Sequence, residues 1–369
     1  MKQRPRVLLL IPHLGGGGAE QVTALLARGL SREKYELHLG LVTEKSAGKG
    51  ELPPRIAVHA LGAGRVRTGG FRLLKLVRRL KPELILSGMA HLNFLVLLMR
   101  PYFPKQTKVL VRQNGTVSSL LAVQKGSGVT RLLYKRLYPR ADRVICQSKA
   151  MAKDLARELG IGEARLAVLP NPVDVDGIRN ATGEDLWNGH GPHLLAVGRL
   201  SREKGFDLLL PALAAVRERF SHADLTIAGE GPEERALKAL CRKLGLEAAV
   251  LFAGYVERPS AYFQGASVFV LSSRHEGLPN ALLEAAAGGL PVVALPASQG
   301  VVELLRNQPG CWLAKEVSSA ALEECLLTAL SALKPSEGFE HGFIEEFRID
   351  RAIRAYEDLI DETLAQRKL

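Results

Sequence analysis

Two glutamates eight positions apart, Glu276 and Glu284, sit in the stretch SSRHEGLPNALLEAAAGGLPVVA at residues 272 to 294, on either side of a helix start. Pro279 suits the first helical position, leaving Glu276 on the preceding loop and Glu284 more than one turn inside. Carboxylates accept hydrogen bonds from hydroxyls, and the free amide hydrogens of the helix N-terminus between them suit a phosphate. A ligand with hydroxyls at both ends and phosphates in the middle would engage all three features, as a nucleotide sugar does. A plainer role fits the same residues: Glu276 as a carboxylate favoured by the helix dipole, Glu284 as a solvated helical position.

Three other stretches carry chemistry. VGRLSREKGFDLLL, residues 197 to 210, brings Arg199 and Lys204 to one loop at the carboxyl end of a strand. Two cations there can clamp a diphosphate, Arg through its planar fork and Lys as a compact charge, whereas either alone reads as surface charge. LLIPHLGGGGAEQV ends a strand in Gly15, Gly16, Gly17 and Gly18 ahead of a helix. Such glycines let the backbone approach an anion, although a tight turn would use them too. Glu20 breaks the G-x-G-x-x-G fingerprint, which argues against a nicotinamide cofactor. In TIAGEGPEERAL a strand ends at Gly229, Gly231 permits a turn, and Pro232 opens a helix with two acids in its first turn. Helix capping accounts for much of that pattern, and ligand contact at Gly229 and Gly231 is the further reading.

The elements that must position these residues alternate in type. RVLLLIP, ELHLGLV, RIAVHAL, ELILS, KVLVRQ and RVICQS are separated by helical patterns near 19 to 30, 70 to 80 and 128 to 138. This βαβ rhythm predicts a mostly parallel sheet covered by helices. It lapses over 170 to 192, rich in Asn, Asp, Gly and Pro, where an interdomain linker is expected. It resumes with HLLAVGRL, DLTIAGE, VLFAGY, SVFVLSS and PVVALP. The expected fold class is α/β, with two doubly wound Rossmann-like domains facing a central cleft, since such sheets bind ligands beyond the carboxyl ends of their strands. The expected domains are 1–175 and 190–345, with a C-terminal helix over 346–369 packing back towards the first.

Composition narrows the function classes. The chain has 369 residues, 47% hydrophobic and 24% charged, enough for two cores. Apolar runs such as FLVLLM fall short of a membrane span, and no signal peptide is read at the N-terminus. Cys146, Cys241, Cys311 and Cys325 lack the spacing of a disulfide framework or a zinc site, in keeping with a reducing cytoplasm; no metal is expected. Residues 1 to 180 hold 31 Lys and Arg against 12 Asp and Glu; the rest hold 19 against 26. A basic N-terminal half fits an anionic partner such as phospholipid or a phosphorylated substrate, or is simply a basic surface. Nucleic acid is disfavoured, because aromatic content is 5% and no stacking motif occurs. FRLLKLVRRLK, residues 71 to 81, sets Leu73, Leu74, Val77 and Leu80 against Arg72, Lys75, Arg78 and Arg79, as a helix on a membrane surface would, or as one packed on its own sheet would. RLLYKRLYPR at 131 to 140 repeats that composition.

Taken together, GGGGAE, PNPVD, VGRLSREKGFDLLL, AGEGPE and the Glu276-x7-Glu284 stretch resemble the retaining family 4 glycosyltransferases of the GT-B fold, over nearly the whole chain. The resemblance implies that Glu276 approaches the donor sugar, Glu284 binds the ribose, and Arg199 and Lys204 hold the diphosphate. It implies that the backbone from Gly277 through Leu278 and Pro279 to Asn280 meets sugar and phosphate, and that His91 lies beside the reacting sugar. The chain departs from the family at Gln21, where relatives often carry a basic residue. The implied donor is a UDP-sugar, bound as substrate with no cofactor. The expected acceptor is a polyprenyl-diphosphate-linked glycan, and the expected location is cytoplasmic, peripheral on the anionic inner face of the cell membrane. A soluble acceptor and a nucleotide-sugar epimerase of the same fold are the alternatives.

Overall fold

The computed structural model describes residues 4–14, 17–43, 56–123, 127–181, 191–333 and 338–366. The chain forms two compact units, Met1–Pro172 with Ile349–Leu369, and Val173–Arg348.

The first unit runs β1 (Arg6–Ile11), α1 (Gly18–Gly29), β2 (Glu36–Thr43), β3 (Ala57–Ala63), α2 (Gly70–Leu80), β4 (Leu84–Ser87), α3 (Ala90–Met99), β5 (Lys108–Arg112), α4 (Val117–Val123), α5 (Ser127–Leu137), β6 (Arg143–Cys146), α6 (Lys149–Leu159) and β7 (Leu166–Val168). Among the described residues its strands pair in the order β3-β2-β1-β4-β5-β6-β7, and every pairing is parallel. The continuous apolar run of β1 follows from burial on both faces. Leu8 and Leu10 join the core under α2, α3 and α5, while Val7, Leu9 and Ile11 face α1.

The second unit runs α7 (Val175–Arg179), β8 (His193–Val197), α8 (Phe206–Arg219), β9 (Asp224–Ala228), α9 (Glu234–Lys243), β10 (Val250–Gly254), β11 (Val268–Leu271), α10 (Asn280–Ala287), β12 (Val292–Ala294), α11 (Gln299–Leu305), β13 (Cys311–Leu313) and α12 (Ser319–Ala332). Its described strands are again parallel, in the order β10-β9-β8-β11-β12-β13. In both sheets the order reverses direction beside the first strand, the doubly wound pattern that gathers loops at the strands' carboxyl ends.

The passage between units falls at Pro172 and Val173, early in the stretch expected as linker. Val173 and Val175 are already buried in the second unit's core, and residues 182–190 of that stretch lie outside the described ones. The final helix, α13 (Ile349–Ala365), clusters with the first unit. Ile353, Tyr356, Leu359 and Ile360 pack with Val22 and Leu26 of α1. Glu357 accepts from the Ser31 amide at 2.8 Å and pairs with Lys34 at 2.8 Å. Gly29 allows the helices to approach this closely, since a Cβ there would stand 2.5 Å from Ile353 Cγ1. The four cysteines are free, and burial pushes the Cys146 thiol up to about 12.

Candidate functional site

In the second unit, the loop after β8 and the loop after β11 are stitched together by their own backbones. Gly205 adopts φ +66 and lies so close to the Ser272 carbonyl that a Cβ would collide with it. The Ser272 hydroxyl donates to the Lys204 carbonyl at 2.8 Å, and the Arg274 amide donates to the Glu203 carbonyl at 2.8 Å. The Arg274 guanidinium closes the seam with two parallel bonds to Asp207, at 2.6 and 2.7 Å, and a third to the Arg202 carbonyl. Its hydrogen bonds hold the Asp207 carboxyl below the usual carboxylate range.

On that seam Lys204 Nζ reaches Glu276 Oε1 at 2.5 Å, and the same oxygen accepts from the Ser273 hydroxyl at 2.7 Å. The two side chains are only 22% and 11% exposed, so the charges compensate each other largely out of bulk water. Arg199 sits exposed on the first of these loops, and its guanidinium forms no ion pair among the described residues. Gly229 and Gly231 serve the loop that carries it. A Cβ on Gly229 would strike the Gly198 carbonyl and one on Gly231 the Leu200 carbonyl, while Leu200 exchanges backbone bonds with Glu230 and Glu233.

Helix α10 begins one residue later than expected, with Pro279 as its N-cap. Its first turn carries no acid and no side-chain cap, so its amide hydrogens suit an anion. Leu278 is 6% exposed and packs in the core, which leaves only its backbone for a ligand. The Gly277 carbonyl accepts from Ser298 at 3.1 Å. Asn280 and the half-buried Glu284 share this helix one turn apart.

In the first unit, Gly17 caps α1 and Gly18 starts it, while Gly15 and Gly16 lie outside the described residues. His91, in the first turn of α3, opens onto a pocket of about 430 Å³ whose lining includes His13, Thr43, Arg65 and Arg67, none of them singled out by the sequence. Partial burial and the nearby His13 ring lower the His91 pKa. A signal was present in GRVRT, two arginines straddling one residue just after a strand. The clamp between Arg274 and Asp207 left no such signal.

For the basic helix at 70 to 80, the apolar stripe takes the packed reading of the two that the sequence left open. In α2 the apolar stripe of Leu73, Leu76 and Val77 is buried in the unit's own core. Its amphipathicity is therefore used by the fold, and what faces solvent is Arg72, Lys75, Arg78, Arg79 and the 78% exposed Phe71. Arg72 also donates to the Leu61 carbonyl at 2.8 Å. On α5, by contrast, Val129, Leu132 and Leu133 stay exposed at helical spacing among Arg131, Lys135 and Arg136. No described helix is long and apolar enough to cross a membrane.

Comparison with known proteins agrees with this architecture. Residues 16–176 match the model of Glycosyltransferase Family 4, and residues 191–332 match Glycosyl transferases group 1. The chain is 29% identical over 308 residues to the N-acetylgalactosamine-N,N'-diacetylbacillosaminyl-diphospho-undecaprenol 4-alpha-N-acetylgalactosaminyltransferase of Campylobacter jejuni, covering 80% of this chain and 82% of that protein. It is 31% identical over 241 residues to the lipopolysaccharide core biosynthesis glycosyltransferase LpsE of Rhizobium meliloti, covering 63% of this chain and 65% of that one. Its fold superposes on Anabaena HepE, solved with UDP and glucose, with a TM-score of 0.81 at 18% identity, over 97% of this chain and 100% of that one. Two parallel Rossmann-like units, matched in turn by these two models, make the chain a member of the family 4 glycosyltransferases of the GT-B fold.

Proposed function

We propose that this glycosyltransferase moves a hexose or N-acetylhexosamine from a UDP-sugar to a polyprenyl-diphosphate-linked glycan, with retention of anomeric configuration and without a metal. The observation that carries this reading is the joining of Lys204 to Glu276 beside the N-terminus of α10. The UDP of the Anabaena protein supports the donor class, and the diphospho-undecaprenol acceptor of the Campylobacter relative supports the acceptor class.

In this reading the second unit binds the donor and the first binds the acceptor. Arg199 and Lys204 take the diphosphate, with the α10 amides and the backbone of Gly277 to Asn280 completing its cradle. Glu276, freed from Lys204 as the phosphate arrives, accepts from sugar hydroxyls, while Glu284 accepts from the ribose. The bond from the sugar C1 to the UDP oxygen breaks as the acceptor oxygen bonds C1 on the same face. The acceptor proton passes to the departing phosphate oxygen, so no protein nucleophile is required. Arg199 and Lys204 stabilise the charge that develops on the diphosphate, the electrostatic part of catalysis. His91, in the first unit, serves the acceptor. The protein works peripherally at the anionic inner face of the cell membrane, supported by its basic N-terminal half and the apolar side chains exposed on α5.

A panel of UDP-sugars incubated with a short-chain lipid-diphosphate glycan tests this reading. Extension of the acceptor in the presence of a chelator supports it. Isomerised UDP-sugar without any acceptor product would replace transfer with epimerisation.

A further inference from the structure

We propose that the pocket framed by Arg65, Arg67, His13 and His91 is a phosphate subsite that seizes the acceptor's diphosphate. The inference deepens the proposed function, because it rests on an acceptor that carries phosphate and assigns the residues that hold it.

The pocket lies where a Rossmann-like sheet binds ligands, beyond the carboxyl ends of its strands. His13 follows β1, Thr43 ends β2, Arg65 and Arg67 follow β3, and His91 opens α3 after β4. The two arginines are held by a built turn. Thr68 donates through its amide at 3.1 Å and its hydroxyl at 2.8 Å to the Arg65 carbonyl, and the Gly69 amide donates to the Val66 carbonyl at 3.0 Å. Val66 packs on the core between the two arginines, so the turn is pinned while both guanidinium groups stay exposed. Neither forms an ion pair among the described residues, whereas Arg100 and Arg143 of the same unit both reach carboxylates. Glu20, which is buried, lies 3.9 Å from His13 Nδ1. Thr43 spends its hydroxyl on the Pro12 carbonyl at 3.0 Å, which fixes the floor.

Two permanent cations and two imidazoles around about 430 Å³ suit a group that is doubly charged and larger than a single phosphate. Arg forks match phosphate oxygens in a planar, two-bond geometry that hydroxyls of a neutral sugar cannot exploit. The lowered His91 pKa leaves that ring neutral in the free protein, able to donate one hydrogen bond, and an arriving anion favours its protonated form.

The test titrates the full chain, saturated with UDP so that the donor loops are occupied, with inorganic pyrophosphate and separately with farnesyl diphosphate. Wild type is expected to bind both, and Arg65→Ser with Arg67→Ser to weaken both, on the order of tenfold for each charge-assisted hydrogen bond removed. UDP affinity should be unchanged in the variant, which also reports that it has folded. Absence of pyrophosphate binding to the UDP-saturated wild type, or equal binding by the double variant, overturns the subsite. Glucose 6-phosphate binding as tightly as pyrophosphate would overturn the preference for a diphosphate. Wild type that binds pyrophosphate but turns over no lipid-diphosphate acceptor would keep the subsite and refute the acceptor, and full turnover of that acceptor by the subsite variant would do the reverse.

Discussion

In the proposed function Lys204 serves two states: it pairs with Glu276 at 2.5 Å without donor, and with donor it would be the preorganised cation for the leaving diphosphate. Lys204→Ala therefore removes transition-state stabilisation, and steady-state turnover should fall on the order of a hundredfold or more. Asp207 makes a different prediction. Arg274 lowers its pKa, so the pair contributes stability above the carboxyl's unfolded value of about 4 and loses it as pH falls through the lowered folded value. Melting curves should show Asp207→Asn less stable than wild type at pH 7, with the gap closing below about pH 4. Since Asp207 is 41% exposed, that gap should stay within about 1 kcal/mol. Sequence raised Glu276, Lys204 and Arg199 as candidates through their joint placement on loops after strands and through the family resemblance, since each charge alone also fits a plain surface role. It was silent on Arg274, whose partner Asp207 is distant in the chain, while the signal for Arg65 and Arg67 lay in GRVRT and took its meaning only from the pocket they share with His13.

The loops that carry these residues depend on glycines in a way that can be separated from general backbone cost. Gly205 at φ +66 and Gly245 at φ +67 share a left-handed φ, yet a Cβ meets the Ser272 carbonyl at the first and nothing within 4 Å at the second. Gly245→Ala should cost about 1–2 kcal/mol in denaturant unfolding and leave turnover intact. Gly205→Ala should cost more and also lower turnover, because the displaced seam carries Lys204. Equal stability losses with turnover kept in both would show that the seam does not position the site. At this scale the strands were legible wherever apolar runs met loop residues. Helix α3 was not, since AHLNFLVLLM is apolar nearly all round and has little period to read. The three-residue strands β7 and β13 are too short to leave a pattern.

For the whole molecule the division of charge is the feature that sequence revealed best, with 31 basic residues against 12 acidic in the first 180. The fold adds exposed apolar side chains to the basic residues of the proposed membrane face. The stripe of α2 is spent on the core, while Phe71, Val129, Leu132 and Leu133 remain outside among basic side chains. Each Lys or Arg near an anionic surface adds about 1 kcal/mol, screened by salt. Sedimentation with anionic liposomes should therefore be lost at high salt, weakened by serine at Arg72, Lys75, Arg78 and Arg79, and weakened further by Leu132→Ser with Leu133→Ser. UDP affinity should not change. Indifference of the wild type to anionic liposomes at low salt would refute the membrane face. Metal-free transfer from a UDP-sugar with retention is tested by the anomeric configuration of the glycoside formed on a lipid-diphosphate acceptor in EDTA, read by NMR. Retention gives product of the donor's own configuration; an inverted linkage, or product that appears only when a divalent metal is restored, would contradict the proposed function.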